Sequence, residues 1–236
     1  MPAPPPPTDA VIRSARDTLA ASDPRLGELD AKLAAFPWRS RLSGMEGLVR
    51  AIVGQQVSTL AADAVWARLE TALGGPVTAG SLLALDDAAY RACGFSGQKT
   101  RYAKGIAQAV IDGAIDFDAL PADDDAALAA LTALKGVGTW TAEVHLMMAE
   151  HRTDAFPAGD IAVQEAVRWL DGLDARPSTD QTYARAEAWR PFRAVAAHML
   201  WEWYVAVKRG DLPDPISPEA RVTERAAAAA RRRAVA

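Results

Sequence analysis

The stretch Leu134-Lys135-Gly136-Val137-Gly138-Thr139-Trp140-Thr141-Ala142 decides how the chain is read. Upstream of it, Leu128 and Leu131 share one helical face; downstream, Thr139 is a good N-cap with Glu143 close behind. The pattern predicts two helices within residues 123–150 joined by a glycine hairpin. Gly136 and Gly138 carry no Cβ, so the chain can turn sharply there and another backbone can come close. The first amides of the second helix are then left to bind an anion. Taken alone, a glycine turn between helices is an ordinary C-cap.

Working outward, the same helical period recurs at Leu48, Ile52 and Val53, at Leu60, Ala64, Val65 and Leu69, at Ile106 and Val110, and at Val163, Val167 and Leu170. No alternating pattern suggests a strand. Breaks at Gly74-Gly75-Pro76, Gly94, Gly113, Pro121, Pro157, Gly172, Pro177 and Pro191 leave about ten short helices. The predicted fold class is all-α, with a helical body over residues 9–218. Residues 1–8, rich in proline, are expected to be disordered. Residues 219–236, which mix an alanine run with Arg221, Arg225 and Arg231 to Arg233, read as a basic tail that is helical or frayed.

Composition narrows the classes. Half of the 236 residues are apolar, which suits a packed core and not a disordered chain. No apolar run approaches the roughly 20 residues that cross a bilayer, and the opening lacks the basic and apolar regions of a signal peptide. A cytoplasmic location is the default expectation, with no membrane partner. A single cysteine, Cys93, and three histidines exclude an intramolecular disulfide and a four-cysteine zinc or iron-sulfur site. A net charge of −4 argues against a general nucleic-acid coat, but a chain that grips phosphates through backbone amides can be acidic overall.

The hairpin string is followed by Phe156-Pro157-Ala158-Gly159-Asp160, and preceded by Leu48-Val49-Arg50-Ala51-Ile52-Val53-Gly54-Gln55-Gln56-Val57-Ser58. With Trp189-Arg190-Pro191-Phe192-Arg193 through Trp201, these segments resemble the helix-hairpin-helix superfamily of DNA glycosylases, and within it the DNA-3-methyladenine glycosylase II type, over roughly residues 40–208. The resemblance implies two helical lobes with a DNA-binding groove between them. It implies that Asp160 is catalytic, although its place before an apolar helix also makes it an N-cap. It implies a phosphate-binding hairpin at Lys135, Gly136, Val137, Gly138 and Thr139. The carbonyls of Thr132, Leu134 and Val137 would hold a sodium or potassium ion.

Family members that also cut the backbone use a lysine just after the hairpin as an amine nucleophile. Trp140 stands there, so the chain reads as monofunctional. Members with an iron-sulfur cluster need four cysteines near the C-terminus, and this chain has none there. About 40 residues precede the matching region, too few for the β-rich domain of the best-known relatives.

A base must leave the duplex to be cut, and a side chain must fill the gap. The family position for this wedge falls on Gln56, with Gln55 beside it as the other candidate; a buried glutamine satisfying helix ends is the alternative reading. Alkylated bases are often cationic, so electron-rich rings select them. Trp201 and Trp140 are the ring candidates, and Val144 stands where the family has a tyrosine. Trp66, Trp169, Trp189 and Phe192 read as core, Trp38 and Phe36 as undecided, and His145 and His198 as core histidines. Lys135, Arg50 and Arg193 are candidate phosphate contacts. The implied partner is double-stranded DNA carrying 3-methyladenine or 7-methylguanine type lesions, bound by a monomer without organic cofactor. Two readings compete: a non-catalytic helix-hairpin-helix DNA-binding protein, and a glycosylase for oxidised or deaminated bases.

Overall fold

The structure, a computed structural model, describes residues 5–215. The basic tail expected at 219–236 lies outside the described residues, as do residues 1–4 of the proline-rich opening. In chain order the helices are α1 (Asp9–Ser22), α2 (Pro24–Asp30), α3 (Gly44–Gly54), α4 (Thr59–Leu73), α5 (Ala79–Ala84) and α6 (Asp87–Cys93). They continue with α7 (Gly97–Ile111), α8 (Asp124–Thr132), α9 (Thr139–Met148), α10 (Ile161–Asp171), α11 (Thr179–Ala186) and α12 (Arg193–Arg209). Short 3₁₀ turns sit at Phe117–Ala119 and Glu187–Trp189. No strand occurs among the described residues, and no helix among them is long and apolar enough to cross a membrane. The fold is all-α, as the period predicts.

The chain divides into two compact units, Arg39–Ala155 and Pro7–Trp38 with Phe156 onward. In the first unit α9 is the central helix, buried from Thr141 to Met148. Its enclosed residues include Thr141, Glu143 and His145 as well as Ala142, Val144, Leu146, Met147 and Met148. Helix α3 packs on α7, α4 and α9 through Leu48, Val49, Ile52 and Val53, all at most 1% exposed. Gly47, in the interior of α3, costs about 1 kcal/mol in helix propensity. Each buried aliphatic side chain returns about 1.5–3 kcal/mol, so packing decides that this segment is helical.

Helix α4 departs from the expected face. Its core side is Trp66 and Leu69, whereas Leu60 is 81% exposed and Ala64 also faces outward. Apolar residues lie on more than one side of α4, so spacing alone did not select the buried stripe.

In the second unit α12 is the central helix, buried almost continuously from Arg193 to Trp201, against α10, α1 and α2. Asp23 ties the unit together. Its Oδ2 accepts from the buried Trp189 indole at 2.9 Å and pairs with Arg185, which also binds Asp171 at 2.8 Å. Burial pushes the Asp23 carboxyl up, but the Trp189 and Arg185 donors outweigh it and hold it below the ordinary aspartate range. Phe36 and Trp38, undecided from sequence, are buried and stack on His198, whose Nδ1 donates to the Ala194 carbonyl at 2.8 Å. His198 is thus a core histidine.

Candidate functional site

The hairpin in the first unit runs from the end of α8 to the start of α9. Gly136 has φ +93°, and a Cβ there would come within 2.3 Å of the Tyr102 ring, so both backbone and space require glycine. Gly138 is different: its φ is −85° and a Cβ would meet nothing within 4 Å. The two glycines therefore do separate jobs. Gly138, not Thr139, is the N-cap of α9. Its carbonyl accepts the Ala142 amide at 3.0 Å, which starts the helix one residue earlier than the threonine suggested. Glu143 is buried and does not close a capping box.

Gly138 has no side chain with which to cap α9, so its N-cap offers the first turn neither a hydroxyl nor a carboxylate. Lys135 and Thr139 are exposed there, with Val137 buried beneath. Among the described residues no backbone amide donates to the carbonyls of Thr132 or Val137, and the Leu134 carbonyl accepts only the Val137 amide, at 3.1 Å. No group of three or more His, Cys, Asp or Glu side chains among these residues is arranged to hold a metal ion, so a cation here would rest on carbonyls alone.

The turn after α3 separates the two glutamines. Gln55 turns inward, its Nε2 donating to the Gly136 carbonyl at 3.3 Å and to Thr141 Oγ1 at 3.4 Å. Gln56 is exposed and sits at φ +59°, the left-handed region that non-glycine residues rarely adopt. Lys99 Nζ, from α7, donates to the carbonyls of Val53 and Gln55 at 2.7 and 2.8 Å. Nothing local in the sequence announces that contact, since 46 residues separate Lys99 from Val53.

A cavity of about 1120 Å³ in the first unit brings Gln55, Gln56, Trp140 and Val144 together, with Arg41 and Trp66 also on its wall. Trp140 is 41% exposed; Val144 is buried. Burial pushes the Arg41 guanidinium pKa down, and the like charges of Arg39 and Arg50 push it the same way. Arg50, a candidate phosphate contact, is paired with Asp63 at 2.6 Å and lies over the Trp66 ring. His145 is buried, its Nε2 lying 3.3 Å from Glu150 Oε1.

In the second unit Asp160 is the N-cap of α10, and its Oδ1 collects three donors. The amides of Ala162 and Val163 lie at 2.9 and 3.1 Å, and the Trp201 indole N–H at 3.0 Å. The preceding turn is pinned by Gln164, whose Nε2 donates to the Ala158 carbonyl at 2.8 Å and to Thr179 Oγ1 at 3.2 Å. Trp201, 41 residues from Asp160 in sequence, is therefore an orienting partner of the carboxylate as well as a ring. Arg193, the other arginine singled out as a phosphate contact, is buried and paired with Glu187 at 3.1 Å. The acid and its tryptophan belong to the second unit, while Gln55, Gln56, Trp140, Val144 and the hairpin belong to the first.

Two helices joined by a glycine hairpin make α8 and α9 a helix-hairpin-helix, and a helix-capping aspartate held by an indole follows it in the chain. The chain belongs to the HhH-GPD superfamily of base excision DNA repair proteins, which it matches over residues 49–191. It is 33% identical over 178 residues to DNA-3-methyladenine glycosylase 1 of Schizosaccharomyces pombe, covering 74% of this chain and 77% of that protein. Among solved structures, a DNA-3-methyladenine glycosidase from Bacillus halodurans is similar with TM-score 0.77 and 29% identity, covering 83% of this chain and 91% of that one. A 3-methyladenine DNA glycosylase of Schizosaccharomyces pombe, in complex with abasic DNA, is similar with TM-score 0.72 and 30% identity, covering 85% and 100%.

Proposed function

We propose that this protein is a monofunctional DNA glycosylase that hydrolyses the N-glycosidic bond of alkylated bases in double-stranded DNA. The observation that carries the proposal is Asp160: a carboxylate whose orientation is fixed by two backbone amides and the Trp201 indole, in a chain of this family. As the bond between sugar C1′ and the base nitrogen breaks, its electron pair leaves with the base and positive charge develops on the sugar. A preorganised carboxylate stabilises that charge. Water then adds to C1′ and loses a proton, leaving an abasic site. Adenine alkylated at N3 or guanine alkylated at N7 already carries positive charge, so it departs neutral without first being protonated.

Trp201, beside Asp160, supplies an aromatic ring for such a cation, a contact worth roughly 0.5–2 kcal/mol. Gln56, exposed and held in a left-handed turn, is the side chain offered to the gap left by the displaced nucleotide; Gln55 is committed to the hairpin. The uncapped start of α9 with Lys135 binds a backbone phosphate. The carbonyls of Thr132, Leu134 and Val137 suit a sodium or potassium ion, because two of them accept no backbone amide and the third only one. Such an ion supplies positive charge beside that phosphate.

Release of 3-methyladenine and 7-methylguanine from methylated duplex DNA tests the reading; no release of either would refute it. With Trp140 at the lyase lysine's position, borohydride should trap no covalent protein–DNA adduct, and a trapped adduct would overturn the monofunctional assignment.

A further inference from the structure

We infer that Lys99 is a positioning residue for base displacement: it clamps the turn after α3 so that Gln56 stands ready to enter the duplex. The inference rests on the inserting role proposed above for Gln56. The final carbonyls of a helix have no partner within the helix, and the turn that follows is free to fray unless something binds them. Here one ammonium takes the carbonyls of both Val53 and Gln55, the residues on either side of Gly54. The negative end of the α3 dipole adds to the attraction.

The Gln55 side chain makes a second tie, to the Gly136 carbonyl and Thr141. The backbone of Gln55 is therefore held from α7 while its side chain is held from the hairpin, and the next residue is left at φ +59° with its side chain exposed. A non-glycine residue stays in that conformation only when its surroundings over-determine it. Burial pushes the Lys99 pKa below the ordinary lysine range, as expected of an ammonium set under a turn and not out in solvent.

The role makes a prediction that a merely structural lysine would not. A wedge matters when the lesion is stacked and paired, and matters little when the base is already unpaired. Single-turnover excision of 7-methylguanine should be compared on a fully paired duplex and on the same lesion inside a run of mismatches. Unstacking of a 2-aminopurine beside an abasic site reads the wedge without any chemistry.

Lys99→Met should lose about 10- to 100-fold on the paired duplex and less than about 3-fold in the mismatched one, from the loss of two charge-assisted hydrogen bonds. The 2-aminopurine signal should fall with it. Lys99→Arg keeps the charge but cannot place one nitrogen between both carbonyls, and should give an intermediate, still pairing-dependent loss; it carries the comparison if Lys99→Met does not fold. Equal losses on the two substrates, or none on either, would overturn the role of Lys99. Gln56→Ala separates the two claims: if it leaves both readouts unchanged, the inserting role of Gln56 falls and the inference with it. If Gln56→Ala shows the pairing-dependent loss and the Lys99 variants do not, only the inference about Lys99 falls.

Discussion

Replacing Trp201 with phenylalanine removes the indole donor from Asp160 while leaving a smaller aromatic ring in its place. The indole N–H lies 3.0 Å from Asp160 Oδ1, and the amides of Ala162 and Val163 remain to hold the same oxygen. Phenylalanine keeps an aromatic ring in the buried position, so packing against His198 largely survives. A hydrogen bond to a charged group contributes about 1.5–3 kcal/mol. If that energy serves to keep the carboxylate in its working orientation, the rate falls by roughly 10- to 150-fold at 1.36 kcal/mol per factor of ten. The assay is single-turnover excision from a methylated duplex, run beside equilibrium binding to abasic duplex. Binding should change by less than about 3-fold, because the hairpin is untouched. A Trp201→Phe rate within twofold of wild type would refute the orienting role, as would a loss that appears equally in binding.

The two hairpin glycines should separate in the laboratory. Gly136→Ala forces a Cβ onto the Tyr102 ring at positive φ and should lower stability by about 2–4 kcal/mol in denaturant titration, while Gly138→Ala, with open space around its Cβ, should leave stability within about 0.5 kcal/mol yet weaken duplex binding. Equal stability losses would contradict the division of labour. Lys135→Ala should reduce the slope of log K against log salt by about one without changing which lesions are cut; an unchanged slope means that Lys135 touches no phosphate.

Asp23→Asn breaks a buried charge pair and should cost about 3 kcal/mol at neutral pH, roughly 10 °C in Tm. Because the folded Asp23 pKa lies below its unfolded value, the stability it contributes is complete above about pH 4 and is lost as pH falls through the folded value. The gap between wild type and Asp23→Asn should therefore narrow as pH falls below about 4. A gap that stays constant would mean that the pair contributes through packing and not through charge.

The sequence carried the helices and the hairpin because those depend on neighbours. Leu48, Ile52 and Val53 announce α3, and Gly136 announces the turn, each within one or two helical turns of chain. The start of α9 was one residue off because Gly138 caps through its backbone, where side-chain propensity favoured Thr139. The site was less legible because its contacts are distant. What distinguishes Gln55 from Gln56 is a carbonyl 81 residues away and a lysine on another helix. The Trp201–Asp160 bond is likewise a tertiary fact. The partners of Arg50 and Arg193, Asp63 and Glu187, are also visible only in the folded chain. Leu60, apolar and helical by period, stands in solvent because α4 turns its Trp66 and Leu69 side to the core.

The most direct test of the account is Asp160→Asn. Asparagine is as good an N-cap as aspartate, so α10 and the fold should persist and only the charge is removed. Excision of 7-methylguanine from duplex DNA should fall by roughly 10²- to 10³-fold while affinity for abasic duplex stays within a few fold of wild type. Undiminished excision by Asp160→Asn would contradict a catalytic role, and would leave Asp160 as nothing more than the cap of its helix.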